Sequence, residues 1–260
     1  CEGNCVIEKG FNSVTIGAVE RFVTETAFEN GWVEPIPVGP ARGQSVGIIG
    51  AGPGGLAAAE QLRQRGYDVT VYDRYDRVGG LLIYGIPGFK LEKEVVSRRA
   101  DRLVEAGISF ELNFEVGRDA SLAELRARHD AVLIATGVYK ARDLQCPGVG
   151  LDGIYPALDF LTTSNRQGLG DAVPAFDDGQ LNAAGKRVVV IGGGDTAMEE
   201  ASFLTRFASE VHVMHRRDSL RASKPMQERV LSNEKITMHW NKVVVDCLGE
   251  VSEGGLKGIV

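Results

Sequence analysis

Two short glycine clusters hold the residue types and spacings in this 260-residue sequence that could do chemistry. The first is Val46-Gly47-Ile48-Ile49-Gly50-Ala51-Gly52-Pro53-Gly54-Gly55, with the G-x-G-x-x-G spacing at Gly50, Gly52 and Gly55. Between a strand and a helix, such glycines allow a tight turn, let a pyrophosphate approach the backbone, and let the helix pack on the strand. The N–H groups and partial positive charge at the helix start then face the phosphates, with Pro53 and Gly54 completing the turn. Asp73 follows about 20 residues later, where a carboxylate accepts from ribose hydroxyls. The same glycines could serve only a turn in an α/β domain, but strand, helix and acid together favour a dinucleotide. Arg77-Val78-Gly79-Gly80-Leu81-Leu82 comes soon after the acid, and Ala135-Thr136-Gly137 ends a later strand. A Gly-Gly step just past the ribose acid suits backbone lying against an extended FAD.

The second cluster, Val188-Val189-Val190-Ile191-Gly192-Gly193-Gly194-Asp195-Thr196-Ala197, reads G-x-G-x-x-A, the variant common where NADP binds. Its next strand ends in His215-Arg216-Arg217-Asp218-Ser219-Leu220-Arg221 and not in an acid. A carboxylate there would repel a 2′-phosphate, whereas guanidinium groups grip it in pairs of hydrogen bonds. NADPH is thereby favoured over NADH by about 1–3 kcal/mol per charged hydrogen bond. Arg216 and Arg217 would also suit a solvated charge pair, but their position after a full βαβ unit favours the phosphate. His215 is expected to shape the adenosine pocket and not to move protons, because hydride transfer between nicotinamide and flavin requires no protein acid or base.

The elements that must position these residues follow from periodicity. The pattern predicts a helix over Val14–Phe28, a Pro-rich linker over Glu34–Pro40, and a strand over Val46–Ile49. A helix over Gly54–Arg65, stopped by Gly66, and a strand over Val69–Tyr72 complete a βαβ unit. Further strands are expected at Ala131–Ala135 and Val188–Ile191. The latter opens a second unit, with a helix over Thr196–Ala208 and a strand over Val211–Met214. Asn165–Ala184 is polar and glycine-rich and reads as a surface excursion. The fold class is α/β, with two Rossmann-like dinucleotide-binding domains in series. The expected division is an N-terminal helical segment and linker (1–40), an FAD domain (41–150) and an NADPH domain (151–260).

Composition narrows the function class. A net charge of −6 gives no basic footprint for nucleic acid or anionic lipid. No apolar run reaches the roughly 18 residues of a membrane helix. With no signal peptide ahead of the first domain, the cytoplasm is expected. Four cysteines, at 1, 5, 146 and 247, make no dense disulfide framework, which agrees with a reducing compartment. Cys146 and Cys247 are expected to be separate, buried small residues. The start at Cys1 instead of methionine is read as the mark of a fragment or processed chain.

These motifs resemble the flavin-binding half of the glutamate synthase small (beta) subunit family. Tyr84-Gly85-Ile86-Pro87-Gly88-Phe89-Lys90-Leu91 is similar to that family's element near the flavin, which brings Lys90 into the site. Cys1-Glu2-Gly3-Asn4-Cys5 resembles the tail of its iron–sulfur motif, so Cys1 and Cys5 are implied metal ligands, completed by other cysteines to a [4Fe–4S] cluster in the full-length protein; with only two of the four thiolates a cluster needs, the pair also reads as two free thiols. The Ala141-Arg142-Asp143 region and Leu158–Asn165 extend the likeness to about Met198. From Glu199 onward the sequence resembles the NADPH domain of thioredoxin reductases.

The resemblance implies an NADPH-oxidising, FAD-dependent electron-transfer subunit with no catalytic acid or base. It would pass electrons through iron–sulfur clusters to a large (alpha) subunit that forms glutamate from glutamine and 2-oxoglutarate. Two alternatives stay open. One is a thioredoxin-reductase-like disulfide reductase, opposed by the lack of a C-x-x-C pair between Cys146 and Gly192. The other is a truncated, non-catalytic nucleotide-binding fragment.

Overall fold

The computed structural model describes residues 15–138, 144–250 and 255–260. Cys1, Cys5, the expected helix start at Val14 and the Ala141-Arg142-Asp143 region lie outside the described residues. The first helix is α1 (Ile16–Glu29), none of whose residues is buried. Then come β1 (Ser45–Ile49), α2 (Pro53–Gln64), β2 (Asp68–Tyr72), α3 (Leu81–Tyr84), α4 (Lys93–Glu105), β3 (Ser109–Glu111), α5 (Leu122–Arg128) and β4 (Ala131–Ile134). The chain continues through α6 (Ala157–Gly168), α7 (Pro174–Asp177), β5 (Arg187–Ile191), α8 (Asp195–Leu204) and β6 (Glu210–His215). It ends with α9 (Lys224–Leu231), β7 (Ile236–Trp240), β8 (Cys247–Glu250) and β9 (Gly255–Ile259).

Two compact units divide these elements. The first takes the described residues of Glu34–Asp143 together with Tyr155–Pro174; the second takes those of Cys1–Val33, Leu144–Ile154 and Ala175–Val260. In the first unit the sheet order is β3-β2-β1-β4, and every pair is parallel. A parallel strand covered on both faces reads as an unbroken apolar run, and β1 does. Ile48 and Val71 are fully buried and pack with Leu56 and Ala59 of α2 and Leu103 of α4. Helix α2 begins at Pro53, one residue before the expected Gly54, because proline has no N–H to lose at the first helical position and its φ is preset. Helix α5 starts with a capping box: Ser121 Oγ accepts from Glu124 N–H, and the Glu124 carboxylate accepts from Ser121 N–H.

The expected surface excursion at Asn165–Ala184 is corrected at its start, while most of the later residues are exposed or half-buried. Asn165 is buried near the end of α6, and its Nδ2 donates to the Tyr84 carbonyl at 2.9 Å. Arg166 reaches Asp76 at 2.9 Å and Asp171 at 3.1 Å, while Arg77 pairs with Asp171 at 2.6 Å. The Tyr84 hydroxyl donates to Asp76, and the Arg166 guanidinium lies 4.7 Å from the Tyr84 ring centre. Arg166 and Asp171 of this stretch are thus charged because they neutralise each other and the Asp76–Arg77 pair. Burial alone would raise the Asp76 pKa, but hydrogen bonds from Tyr84 and Arg166 hold it below the ordinary carboxylate value. The Arg77 hydrogen bond does the same for Asp171.

The second unit has a three-stranded parallel sheet, β5-β6-β7, and an antiparallel pair, β8-β9. Helix α8 buries Met198, Ala201 and Leu204 over it and stops four residues before the expected Ala208. The apolar period runs on because Ala208 is also buried, at a turn whose N–H groups at Phe207 and Ala208 both bond the Leu204 carbonyl. Among the described residues no helix is long and apolar enough to cross a membrane.

Two measurements check this account. Gly55→Ala should destabilise by about 1–3 kcal/mol in urea, since the new methyl overfills a closed contact. Gly54→Ala, whose Cβ would meet nothing within 4 Å, should be neutral or slightly stabilising. Because both Asp76 and Asp171 are held low in the folded state, their contribution is present above the unfolded carboxylate pKa of about 3.9 and is lost as pH falls through their lower folded values. Asp171→Asn should therefore be less stable than wild type at neutral pH, with the gap closing as the pH falls below that range.

Candidate nucleotide-binding sites

The first glycine turn is built by close backbone approach. Gly50 has φ of 113°, in the region that favours glycine, and its N–H donates to Tyr72 O at 2.7 Å. A Cβ on Gly50 would stand 2.5 Å from Ala135 O, and one on Gly55 would stand 1.9 Å from Gly50 O. Gly52 and Gly54, by contrast, face open space with nothing within 4 Å of a Cβ. That division fits a phosphate cradle: two glycines close the turn, and two leave room at the start of α2, where first-turn N–H groups have no helical partner.

The other expected residues of this site mostly converge on the turn. Asp73 is buried; its Oδ2 accepts from Ala51 N–H at 2.6 Å and its Oδ1 from Tyr75 N–H at 2.9 Å. The carboxylate thus fastens the end of β2 to the turn while keeping further lone pairs for a ribose. Gly79 N–H donates to Ala51 O at 2.9 Å, so the Gly79-Gly80 step lies beside the turn, and Gly80 leads into α3 with an exposed Leu81. Ala135 N–H donates to Ile49 O at 2.8 Å, which brings Thr136 and then Gly137 to the same edge. Lys90 is exposed and sits farther along, in a turn closed by its N–H on Pro87 O at 2.9 Å.

In the second unit the Gly192–Ala197 turn is braced from the far side. Arg221 and Ala222 N–H groups donate to Gly193 O at 2.8 and 3.1 Å, folding the segment after β6 back over the turn. Buried His215 fills the space above Gly193, where a Cβ would stand 2.2 Å from its ring, and its Nε2 bonds Ser219 O at 3.1 Å. Asp195 Oδ1 accepts from both Ser223 N–H and Ser223 Oγ, at 2.8 and 2.7 Å. Thr196 is exposed beside it, and Ala197 closes on Gly192, where a Cβ would stand 2.7 Å from the alanine methyl. The result is an open cleft of about 500 Å³ lined by Gly192, Gly194, Arg216, Arg217, Arg221 and Lys242, among others. All three arginines are solvent-exposed. The chain can thus offer an anion three guanidinium groups and a lysine next to a helix start. Among the described residues no three His, Cys, Asp or Glu side chains are placed to hold a metal ion.

Residues 44–257 match the family of pyridine nucleotide-disulphide oxidoreductases. The chain belongs to that family. It is 53% identical to the glutamate synthase [NADPH] small chain of Azospirillum brasilense over 100% of this chain and 54% of that protein. To the glutamate synthase [NADPH] small chain of Escherichia coli it is 41% identical, over 90% of this chain and 49% of the other. Thioredoxin reductase of Lactococcus lactis superposes with a TM-score of 0.58 at 26% identity, covering 83% of this chain and 70% of that one. The glutamate synthase likeness therefore runs on past residue 198, where a change of resemblance was expected. The chain spans about half the length of the curated relatives it matches.

Sequence reasoning missed Lys242, which reaches the cleft because its N–H bonds His215 O at 3.1 Å, and the Asp76–Arg77–Arg166–Asp171 group. A basic residue just after β7 was the only signal for the former. Replacing Asp73 by Ala should destabilise the first unit by about 1–3 kcal/mol in urea, because the buried Ala51 N–H would lose its acceptor.

Proposed function

We propose that this chain is the FAD- and NADPH-binding part of a glutamate synthase small subunit. The observation that carries the reading is the cleft at the second glycine turn, where Arg216, Arg217 and Arg221 stand at the strand end that would otherwise hold an acid. Three guanidinium groups there suit the 2′-phosphate of NADPH, with Gly192, Gly194, Asp195, Thr196 and Ala197 around the pyrophosphate. The first turn, with Gly50, Gly52, Pro53, Gly54, Gly55 and Asp73, is assigned to FAD, and Gly80, Leu81, Lys90, Thr136 and Gly137 extend that site. Its two nucleotide-binding domains are assigned to residues 41–150 and 151–260, with Leu144–Ile154 going to the second and Tyr155–Pro174 to the first, in keeping with the two compact units.

When bound, the flavin would supply the two-electron acceptor for the nicotinamide hydride. The protein's part would be to bind each cofactor and orient it for hydride transfer. No side chain is assigned acid or base work. In the full-length protein, electrons would leave through a [4Fe–4S] cluster, with Cys1 and Cys5 among its ligands, to a large subunit that makes glutamate from glutamine and 2-oxoglutarate. The names of the Azospirillum and Escherichia relatives support this reading. A cytoplasmic setting follows from it, since NADPH is the donor.

The likeness to thioredoxin reductase favours a second reading, disulfide reduction, but the sequence has no C-x-x-C pair to exchange. Arg216→Ala/Arg217→Ala should raise the KM for NADPH about tenfold to a hundredfold and leave that for NADH nearly unchanged. Equal effects on both would remove the phosphate assignment. Purified protein given FAD should turn yellow and bleach with NADPH under argon; a protein that stays colourless would remove the flavin assignment. Turnover of glutamine and 2-oxoglutarate with the large subunit, against turnover of thioredoxin, separates the two readings.

A further inference from the structure

Cys146 and Cys247 are not the separate residues expected from sequence. The Sγ of Cys146 lies 3.8 Å from the Sγ of Cys247, the first residue of β8, and both belong to the second unit. Backbone packing sets this contact. Cys247 N–H donates to Pro147 O at 3.1 Å. Gly148 lies so close to β8 that a Cβ on it would stand 2.0 Å from Cys247 O and 3.1 Å from Cys247 Cβ. Two segments 101 residues apart are therefore joined at the main chain before any sulfur reacts. A bond between the sulfurs requires closure from 3.8 Å to about 2.05 Å. Cys146 is half-buried and Cys247 buried, which divides the roles. The outer thiol meets the oxidant, and the inner one, whose sulfur is already 3.8 Å away, resolves the product.

We propose that Cys146 and Cys247 form an oxidisable dithiol, closed to a disulfide by a peroxide, that controls one wall of the arginine-lined cleft. With hydrogen peroxide, the Cys146 sulfur attacks one oxygen and the O–O bond breaks, leaving a sulfenic acid and a hydroxide that takes the proton given up by the Cys146 thiol and becomes the first water. The Cys247 sulfur then attacks the Cys146 sulfur, the S–O bond breaks, and the hydroxyl leaves as water with the Cys247 proton. Two thiols lose two electrons in all, and the peroxide is reduced to two waters. Reduction by an external dithiol reverses the closure.

The link to the cleft is direct in sequence. Leu144 precedes Cys146 by two residues, Val243 and Val244 shortly precede Cys247, and all three line the cleft. Drawing the sulfurs together shifts both lining segments away from the spacing of the reduced protein. This coupling rests on the cleft being the NADPH site; the dithiol itself does not.

One equivalent of hydrogen peroxide, then thiol blocking and peptide mapping without reductant, tests both parts. A linked peptide joining Cys146 to Cys247, released by dithiothreitol, is expected. The Kd for NADPH should rise roughly threefold or more on oxidation, because binding groups must hold to about 0.5 Å. Dithiothreitol should restore it, and Cys247→Ala, or Cys146→Ser if the former does not fold, should abolish the change. Over-oxidised Cys146 without the linked peptide, or Cys247 joined to Cys1 or Cys5 instead, overturns the dithiol. The linked peptide with an unchanged Kd overturns the coupling. Reduced protein that binds no NADPH overturns the cleft assignment and with it the coupling, while the peptide map still judges the dithiol.

Discussion

The backbone at Gly55 lies so close to the carbonyl of Gly50 that no larger residue fits between helix α2 and strand β1 without moving one of them. That approach fixes where α2 begins, and therefore where its free N–H groups point. It also leaves Ala51 at the centre of the turn, and both of its peptide groups are used. Its N–H is held by the Asp73 carboxylate and its carbonyl by Gly79 N–H. One residue thus ties the end of β2 and the Gly79-Gly80 step to the same turn. Each such bond contributes about 1 kcal/mol net, but a buried group left without its partner costs about 1–3 kcal/mol, so the arrangement is all-or-none in character.

The second unit reaches a similar geometry by other means. Alanine at 197 takes the place of the third glycine, and a ring supplies what an acid supplies in the first unit. His215 covers Gly193, and the returning Arg221-Ala222 backbone bonds its carbonyl. The one carboxylate in this brace, Asp195, lies inside the turn and holds Ser223, so none is needed at the strand end, which is left free for guanidinium groups. The difference in ligand charge that each site suits is therefore tied to how each turn is braced. A buried carboxylate at the strand end braces the first; an imidazole, main-chain N–H groups and the exposed Asp195 within the turn brace the second.

Both turns and the strands leading into them were legible in the sequence, because a glycine spacing between a strand and a helix has few other uses. Asp73 was legible by distance along the chain, although its two main-chain bonds were not. What escaped was everything that depends on contacts between distant segments. The helix holding Asn165 and Arg166 was read in part as a surface stretch because its polar side chains find partners 81 and 90 residues away. Cys146 and Cys247 were read as unrelated for the same reason. The end of α8 was overrun because Ala208, outside the helix, keeps the apolar period.

The loop from Asp73 to Gly80 shows why such distant partners matter to a site read from local motifs. One end is anchored by Asp73 on Ala51 N–H, and the other by Gly79 on Ala51 O. Between them Asp76 and Arg77 carry opposite charges that neither anchor satisfies. Arg166 and Asp171, from α6 and the turn that follows it, complete a four-charge group in which each cation meets both anions. Tyr84 closes the group from α3; burial, then its hydrogen bond to Asp76, pushes its hydroxyl up to about 12, so it stays a donor at any physiological pH. With partly exposed charges, the Coulomb gain of each pair is modest. The effect is geometric instead: a loop that must lie against a ligand is left with few ways to move, because its peptide groups and its charges are held from different parts of the fold.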